Sequence, residues 1–269
     1  PHRLNAQGEF DLAVPAASAG AALERLAALR GQASVAVADS QLAGVPLRGR
    51  LALRSAGGNL LASTEAELDG NRMTAEGRVV AARGGADDRW AVTLDAPALA
   101  RLTPLARLAG IDPSGQGVAG SLSAKAEASG RWPALSSRGE ASASGLRAGT
   151  LQLRSGRATW QAGTGLDAPV DATVELTALA VGPARVETAT LRAQGSGREH
   201  RLEFAASSSA RPPAWADALQ PGATAPGKAP AQARLLAQGG FVPGAAGGAV
   251  GGWRGTLLQV DARPAGAAA

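Results

Sequence analysis

The sequence predicts a mainly all-β protein, an elongated and open solenoid-like β-structure, with short helices at about 16–30 and 97–110. Three observations predict it. From Val118 to Ala128 the residues Val118, Gly120, Leu122, Ala124, Ala126 and Ala128 alternate with Ser121, Ser123, Lys125 and Glu127, the period of a strand with one apolar and one polar face. Gly, Pro, Asn and Asp punctuate such runs at short, regular spacing, which favours antiparallel neighbours. The chain is 45% apolar yet only 3% aromatic, with no Tyr, 36 Gly and 16 Pro. Aromatic residues bury the most area per side chain, so a thick compact core would use more of them.

The elements follow in order. Leu4, Ala6, Phe10, Leu12 and Val14 alternate in a first strand. Leu23, Leu26 and Leu29 then sit at helical spacing, and Gly31 supplies a helix stop. Period two returns at Val35 and Val37, then at Leu47, Gly49, Leu51 and Leu53 against Arg48, Arg50 and Arg54. Ala62, Thr64, Ala66 and Leu68 make another strand, Gly77 and Val79 the next, and Trp90, Val92 and Leu94 the one after. Gly44-Val45-Pro46, Gly57-Gly58-Asn59, Asp69-Gly70-Asn71 and the segment 84–88 mark the turns. Leu99, Leu102, Leu105 and Leu108 have helical spacing, and Pro104 divides or kinks that helix.

The long β-run from Val118 to Ala206 includes Leu151 and Leu153, then Ala158, Trp160 and Ala162, and then Val170, Ala172, Val174 and Leu176. Ala189, Leu191 and Ala193 follow, and His200, Leu202 and Phe204 close it. Segment 207–231, rich in Pro, Ala and Ser, reads as a long loop, with one helical turn at Trp215 and Leu219. Strands at 231–237 and 256–262 flank a Gly-rich stretch from Gly239 to Gly252. The domain organisation expected is therefore a β-segment over 1–206, the loop at 207–231, and a continuation of the β-structure over 232–269.

With no Cys there is neither a disulfide framework nor a thiolate site. The formal charge is +5. Its arginines are spread singly along polar faces without stacking aromatics, so nucleic acid is not an expected partner. No run of apolar residues is long enough to cross a bilayer as a helix. Beginning at Pro1 without Met or a signal sequence, and stopping at Ala267, Ala268 and Ala269, the chain reads as a piece of something longer.

Chemistry-bearing motifs fail on context. Gly115, Gly117 and Gly120 match G-x-G-x-x-G, but a strand follows where a helix should open. Gly222 to Ala229 approaches a phosphate loop, with Ala229 where Ser or Thr must hold magnesium. His2 and His200 have no nucleophile motif nearby, and His200 reads as a sheet-face histidine whose neighbour Glu199 points to the other face. Asp87 and Asp88 fall in a turn. The expectation is no enzymatic activity, no metal and no cofactor.

Gly130-Arg131-Trp132-Pro133-Ala134-Leu135, then Gly145 to Leu153 ending in Trp160, resembles the TamB family. So do Gly195 to Leu202, Gly252-Trp253-Arg254-Gly255-Thr256-Leu257, and upstream Leu94 to Leu102 followed by Gly120-Ser121-Leu122. The resemblance covers most of the chain from Leu47 onward. It implies a β-taco, a long sheet curled into an open trough, from a protein that spans the periplasm and is anchored in the inner membrane of Gram-negative bacteria. It also implies a place in the translocation and assembly module with an outer-membrane barrel, TamA, and a role in outer-membrane protein and autotransporter assembly and in phospholipid movement between membranes. The family's amino-terminal anchor helix and carboxy-terminal domain have no counterpart here, so anchoring and contact with TamA map to no residue of this chain.

If the apolar stripes stack in register, they line a groove for phospholipid acyl chains. The residues expected to line it are Leu51, Leu53, Val92, Leu94, Leu122, Ala124, Leu151, Leu153, Trp160, Val174, Leu176, Leu191, Leu202, Phe204, Leu258 and Val260. The alternative is a purely structural β-solenoid stalk, or a segment like an autotransporter passenger, in which the same stripes pack as a solid core.

Overall fold

A computed structural model of the chain describes residues 2–13, 30–56, 59–80, 88–111, 115–131, 134–209, 230–243 and 250–263. Among these residues the fold is all-β, an open antiparallel sheet in which 14 strands hydrogen-bond in chain order. The chain divides into two compact units, Pro1–Gly139 and Glu140–Ala269.

The first unit holds β1 (Ala6–Ala13), β2 (Arg30–Leu42), β3 (Val45–Ala56), β4 (Asn59–Leu68), β5 (Asn71–Val80), β6 (Arg89–Ala96), β7 (Val118–Arg131) and the start of β8 (Ala134–Ala148). Two of its hairpins are set by backbone chirality. Ala43 and Gly44 (φ 52° and 83°) join β2 to β3, and Asp69 and Gly70 (φ 46° and 81°) join β4 to β5. Positive φ at both central residues matches the twist of the flanking strands, which is why Asp-Gly is a strong hairpin signal. The first of these turns lies one residue earlier than Gly44-Val45-Pro46 suggests, and Val45 and Pro46 already belong to β3.

The helical segment expected at 97–110 is a 3-10 turn, Leu99–Leu102, followed by one short helix, α1 (Thr103–Leu108), with Pro104 in its first turn. Proline lacks an N–H that the helix start does not need. Its leucine stripe is not a buried one: Ala106 is the buried residue of α1, and Leu108 is 64% exposed. Polar bonds hold the segment instead. Buried Asn71 accepts from the Ala98 amide at 3.1 Å and donates to the carbonyls of Leu68 (3.0 Å) and Ala98 (3.2 Å). Thr103 Oγ1 accepts from the Val118 amide at 3.2 Å, where β7 starts. The helix expected at 16–30 lies outside the described residues, except for Arg30, which begins β2.

The second unit holds the rest of β8, then β9 (Leu151–Gly163), β10 (Pro169–Val181), β11 (Ala184–Ser196), β12 (His200–Ser208), β13 (Ala231–Pro243) and β14 (Val250–Arg263). The two last strands reach further into the Gly-rich stretch than the sequence suggests. Gly239 and Gly255 are cross-strand partners, and a Cβ on either would meet the Trp253 indole, at 2.6 and 2.2 Å. Glycine is therefore what lets the ring lie flat on the sheet, a pairing that rescues strand glycines from their usual cost. The expected loop at 207–231 falls mostly outside the described residues; Ser207 and Ser208 complete β12, and Ala231 begins β13. The turn expected at Trp215 and Leu219 lies wholly outside them.

Side chains also pin one end of this unit. Arg198 Nε donates to Asp167 Oδ1 at 2.5 Å, linking the β9–β10 and β11–β12 loops, while the Arg198 amide donates to the Leu166 carbonyl at 2.6 Å. The hydrogen bonds from Arg198, and then its charge, hold the Asp167 carboxyl below its usual range. A depressed carboxyl contributes stability that is full above the ordinary value, about 3.9, and fades as pH falls through the lower folded value. Replacing Asp167 with Asn is therefore expected to lower the melting midpoint slightly at pH 7, and the difference from the wild type is expected to vanish as pH falls well below about 4. Melting curves across pH read this directly.

Candidate functional site

The register decides which side chains share a face, because directly paired residues of an antiparallel sheet project to the same side. In the first unit Val35 pairs with Leu51, Leu51 with Thr64, Thr64 with Ala75, Ala75 with Val92, and Val92 with Ala126. The next row runs Ala33, Leu53, Ala62, Gly77, Trp90 and Ala128, and on the other side lies Ala66, Met73, Leu94 and Ala124. Leu122 pairs with Ala96 on the same face. The stripe residues Leu51, Leu53, Val92, Leu94, Leu122 and Ala124 are thus brought together on one apolar face. A bulge at Asp39 (φ 49°) keeps β2 in phase, so that Val37 and Ser40 both pair onto that side.

In the second unit Ala158 pairs with Val174, Val174 with Leu191, Leu191 with Phe204, Phe204 with Leu235, and Leu235 with Val260. The adjoining row is Trp160, Ala172, Ala193, Leu202, Ala237 and Leu257. Simple counting would send Leu153 to the opposite face from Trp160. The alternation instead changes phase together on three strands, from Leu153 to Gly156, from Leu176 to Leu179, and from Val186 to Ala189, with Ala178 at φ 51° in the crease. Gly156 shows the result: a Cβ there would lie 3.1 Å from Leu153 Cδ2 and 3.2 Å from Leu176 Cδ2, so both leucines reach over it from one side. Leu151 follows Leu153 by ordinary alternation. Leu258 is the extra residue at a bulge in β14, between Leu257, which pairs with Ala237, and Gln259, which pairs with Leu236.

Burial along these faces is uneven. Leu60 and Val79 form a buried pair with Leu53 and Trp90 packed on it, and Leu153 and Ala237 are buried in the second unit. Much of the stripe stays accessible: Leu51 is 42% exposed, Leu191 42%, and Val260 59%. Large apolar side chains this accessible, side by side on adjacent strands, are unusual for a face with no ligand or partner.

Beyond the expected lining, the apolar face carries Phe10 and Trp90, both marked by the alternation, and also Met73 in the first unit and Phe241, Trp253, Leu179 and Val186 in the second, which the alternation does not mark. Phe10, Trp90 and Trp253 share a device, an aromatic ring over a glycine: Phe10 over Gly8, Trp90 over Gly77, and Trp253 over Gly255. A methyl added at Gly77 would lie 2.1 Å from the Trp90 ring. Gly77→Ala is expected to lift that indole off the sheet, seen as a red shift of its fluorescence.

The opposite face of the first unit is polar and charged. Arg48 Nη2 lies 3.0 Å from Glu67, and Arg72 Nη2 lies 3.2 Å from the other oxygen of the same carboxylate. The hydrogen bond from Arg72, and then the charge of Arg48, hold the Glu67 carboxyl below its usual range. A depression of about 700 Å³ opens among β1–β5, lined chiefly by polar-face residues such as Arg50, Arg54, Ser63 and Glu76. In the second unit one of about 430 Å³ is lined by Arg192, Arg201, Glu203, Arg234 and Gln259 among others.

His200 sits at the end of the apolar face, 4% exposed. Trp253 Nε1 donates to its Nε2 at 2.8 Å, which leaves the ring proton on Nδ1 to donate to the Ser196 carbonyl at 2.9 Å. The Phe241 ring stands 5.2 Å away. Both ring nitrogens are engaged, so this histidine closes a packed corner and offers no free base. His2 likewise is engaged, its Nδ1 accepting from the Ala43 amide at 3.2 Å. Gly115 (φ 67°) and Gly117 (φ 83°) lead into strand β7, so the dinucleotide-like motif has no helix to place at a pyrophosphate. Asp88 is buried and its carboxylate accepts from the Val80 amide at 2.7 Å; Asp87 lies outside the described residues. Among the described residues no cluster of three or more His, Cys, Asp or Glu is arranged to hold a metal, and no helix is long and apolar enough to cross a membrane. No protein-family model, curated protein or solved structure compared with the chain matches it.

Proposed function

We propose that the apolar face carries phospholipid acyl chains, and that the chain is a TamB-like segment of a translocation and assembly module. In this reading it works in the periplasm as part of a protein anchored in the inner membrane. There it moves phospholipid between the membranes and supports outer-membrane protein and autotransporter assembly with a TamA-like barrel. One observation carries the proposal: within each unit, the register aligns Leu, Val, Ala and Gly of successive strands into an apolar face that stays partly accessible. Each methylene removed from water contributes about 0.8 kcal/mol. An acyl chain therefore stays bound on such a stripe without a specific pocket, and slides because successive positions are nearly equivalent. No side chain need perform chemistry.

The test is native mass spectrometry of the gently purified chain. Co-purified phospholipid is expected on the wild type and is expected to be lost from Val174→Asp and Leu202→Asp, which place an unpaired carboxylate where acyl chains lie. A lipid-free wild type after expression in a Gram-negative host, or equal lipid on the folded Asp variants, overturns the proposal in favour of a structural stalk.

A further inference from the structure

The polar face of the first unit is organised in cross-strand rows. One runs Arg48, Glu67, Arg72 and Asp95, alternating in sign. Toward the other end of the strands, another runs Arg54, Leu61, Arg78, Arg89 and Ser129. It holds three cations, and its one carboxylate, Asp11, which joins the row through Gln32, stands on β1, four strands from Arg78. Arg78 and Arg89 are direct partners, which places their Cβ atoms about 5 Å apart, and like charges so placed repel.

Among the described residues, the carboxylates nearest to this pair in the register make no ion pair with it. Glu127, diagonal to Arg89, is held by Arg138 through Nη2 at 2.6 Å and Nε at 3.0 Å. Asp88 is engaged by the Val80 amide at 2.7 Å. Glu76, the other diagonal neighbour, makes no ion pair with either arginine within 4.0 Å. Arg78 is itself half-buried, and its Nε is a buried donor without a partner among the described residues. A buried donor left unpaired is rare enough in folded proteins to need a reason.

We propose that Arg78 and Arg89 bind a phosphate group, beside the Ser129 hydroxyl, which shares a hydrogen bond with the Ser136 hydroxyl at 3.2 Å. Two guanidinium forks on adjacent strands suit a tetrahedral dianion, which can offer oxygens to both at once, whereas a carboxylate has one plane and fills one fork. Binding removes the repulsion across β5 and β6. These side chains project from the face opposite Gly77 and Trp90, so the site stands independently of the acyl-chain reading.

The test is calorimetric titration of the full chain with inorganic phosphate at constant ionic strength, chloride making up the balance. Saturable binding is expected. Arg89→Gln, an exposed position, is expected to weaken it at least tenfold, as is Arg78→Gln if that variant melts as the wild type does. Arg192→Gln, the same charge change in the other unit, is expected to leave it unchanged. No saturable binding, or equal weakening by Arg192→Gln, overturns the site. Flotation with vesicles of phosphatidic acid against phosphatidylcholine separates the sources. Retention that Arg89→Gln abolishes and free phosphate competes away assigns a lipid headgroup, while phosphate binding without retention assigns a small soluble phosphate compound.

Discussion

Replacing Gly240 with valine is expected to destabilise the second unit by about 3 kcal/mol or more, among the largest effects of any single substitution. A Cβ on Gly240 would stand 1.6 Å from the Arg198 carbonyl oxygen and 2.3 Å from its carbon. Those are backbone atoms, and their loop is held on three sides. The Arg198 amide binds the Leu166 carbonyl, the Gly197 amide binds the Ala168 carbonyl at 3.1 Å, and the Phe241 amide binds the Gly197 carbonyl at 2.8 Å. The loop cannot yield without breaking those bonds, and Phe241 would carry its ring away from His200. Even alanine should act nearly as strongly, since the first carbon makes the clash. Urea unfolding of the two variants measures it. A loss under 1 kcal/mol in both would show that the loop moves aside freely.

Aspartate at Leu60 and aspartate at Leu51 are expected to differ sharply, although both residues lie on the same face of adjacent strands. Leu60 is 3% exposed against Val79, Leu53 and Trp90, whereas Leu51 is 42% exposed. Truncating a buried leucine to alanine costs about 2–5 kcal/mol, and an unpaired carboxylate adds the cost of its desolvation. Leu60→Asp should therefore unfold the first unit at room temperature. Leu51→Asp keeps its carboxylate in water and should lose about 1 kcal/mol or less, the transfer energy of a side chain already half solvated. Thermal melts followed by circular dichroism decide between them. Equal, severe losses would mean that the accessible part of the face is a core after all.

The strands were legible because alternation is a local property. Trp90, Val92 and Leu94, or Val170 to Leu176, show their faces to anyone counting by two. What alternation cannot show is how a strand crosses a crease. The phase change at Ala178 puts Leu179 and Val186 on the apolar face, and it is visible in the sequence only as two parities that fail to join. Its meaning needs the register of β9 to β11. The glycines misled for a related reason. Gly239 and Gly240 look like loop, yet each is a strand residue whose missing Cβ makes room for an indole or a neighbouring backbone, a fact about partners distant in the chain. His200 was placed correctly on the sheet face, but its hydrogen bond from Trp253, 53 residues away, was not legible in its neighbours. The leucine spacing at 99–108 marked a helical segment correctly and misled about its burial, because Asn71 and Thr103 hold the segment through hydrogen bonds. Arg78 and Arg89 look like any solvated arginines until the register sets them opposite each other.

The central claim is that within each unit the apolar face meets acyl chains and the polar face does not. It is tested most directly by a photoreactive amino acid placed in turn at Leu122 and Lys125, on the apolar and polar faces of the first unit, and at Leu202 and Glu203, on those of the second. After irradiation in cells, phospholipid adducts are expected at Leu122 and Leu202 and not at Lys125 and Glu203. Equal labelling of both faces, or no lipid adduct at either leucine in a folded chain, would contradict it.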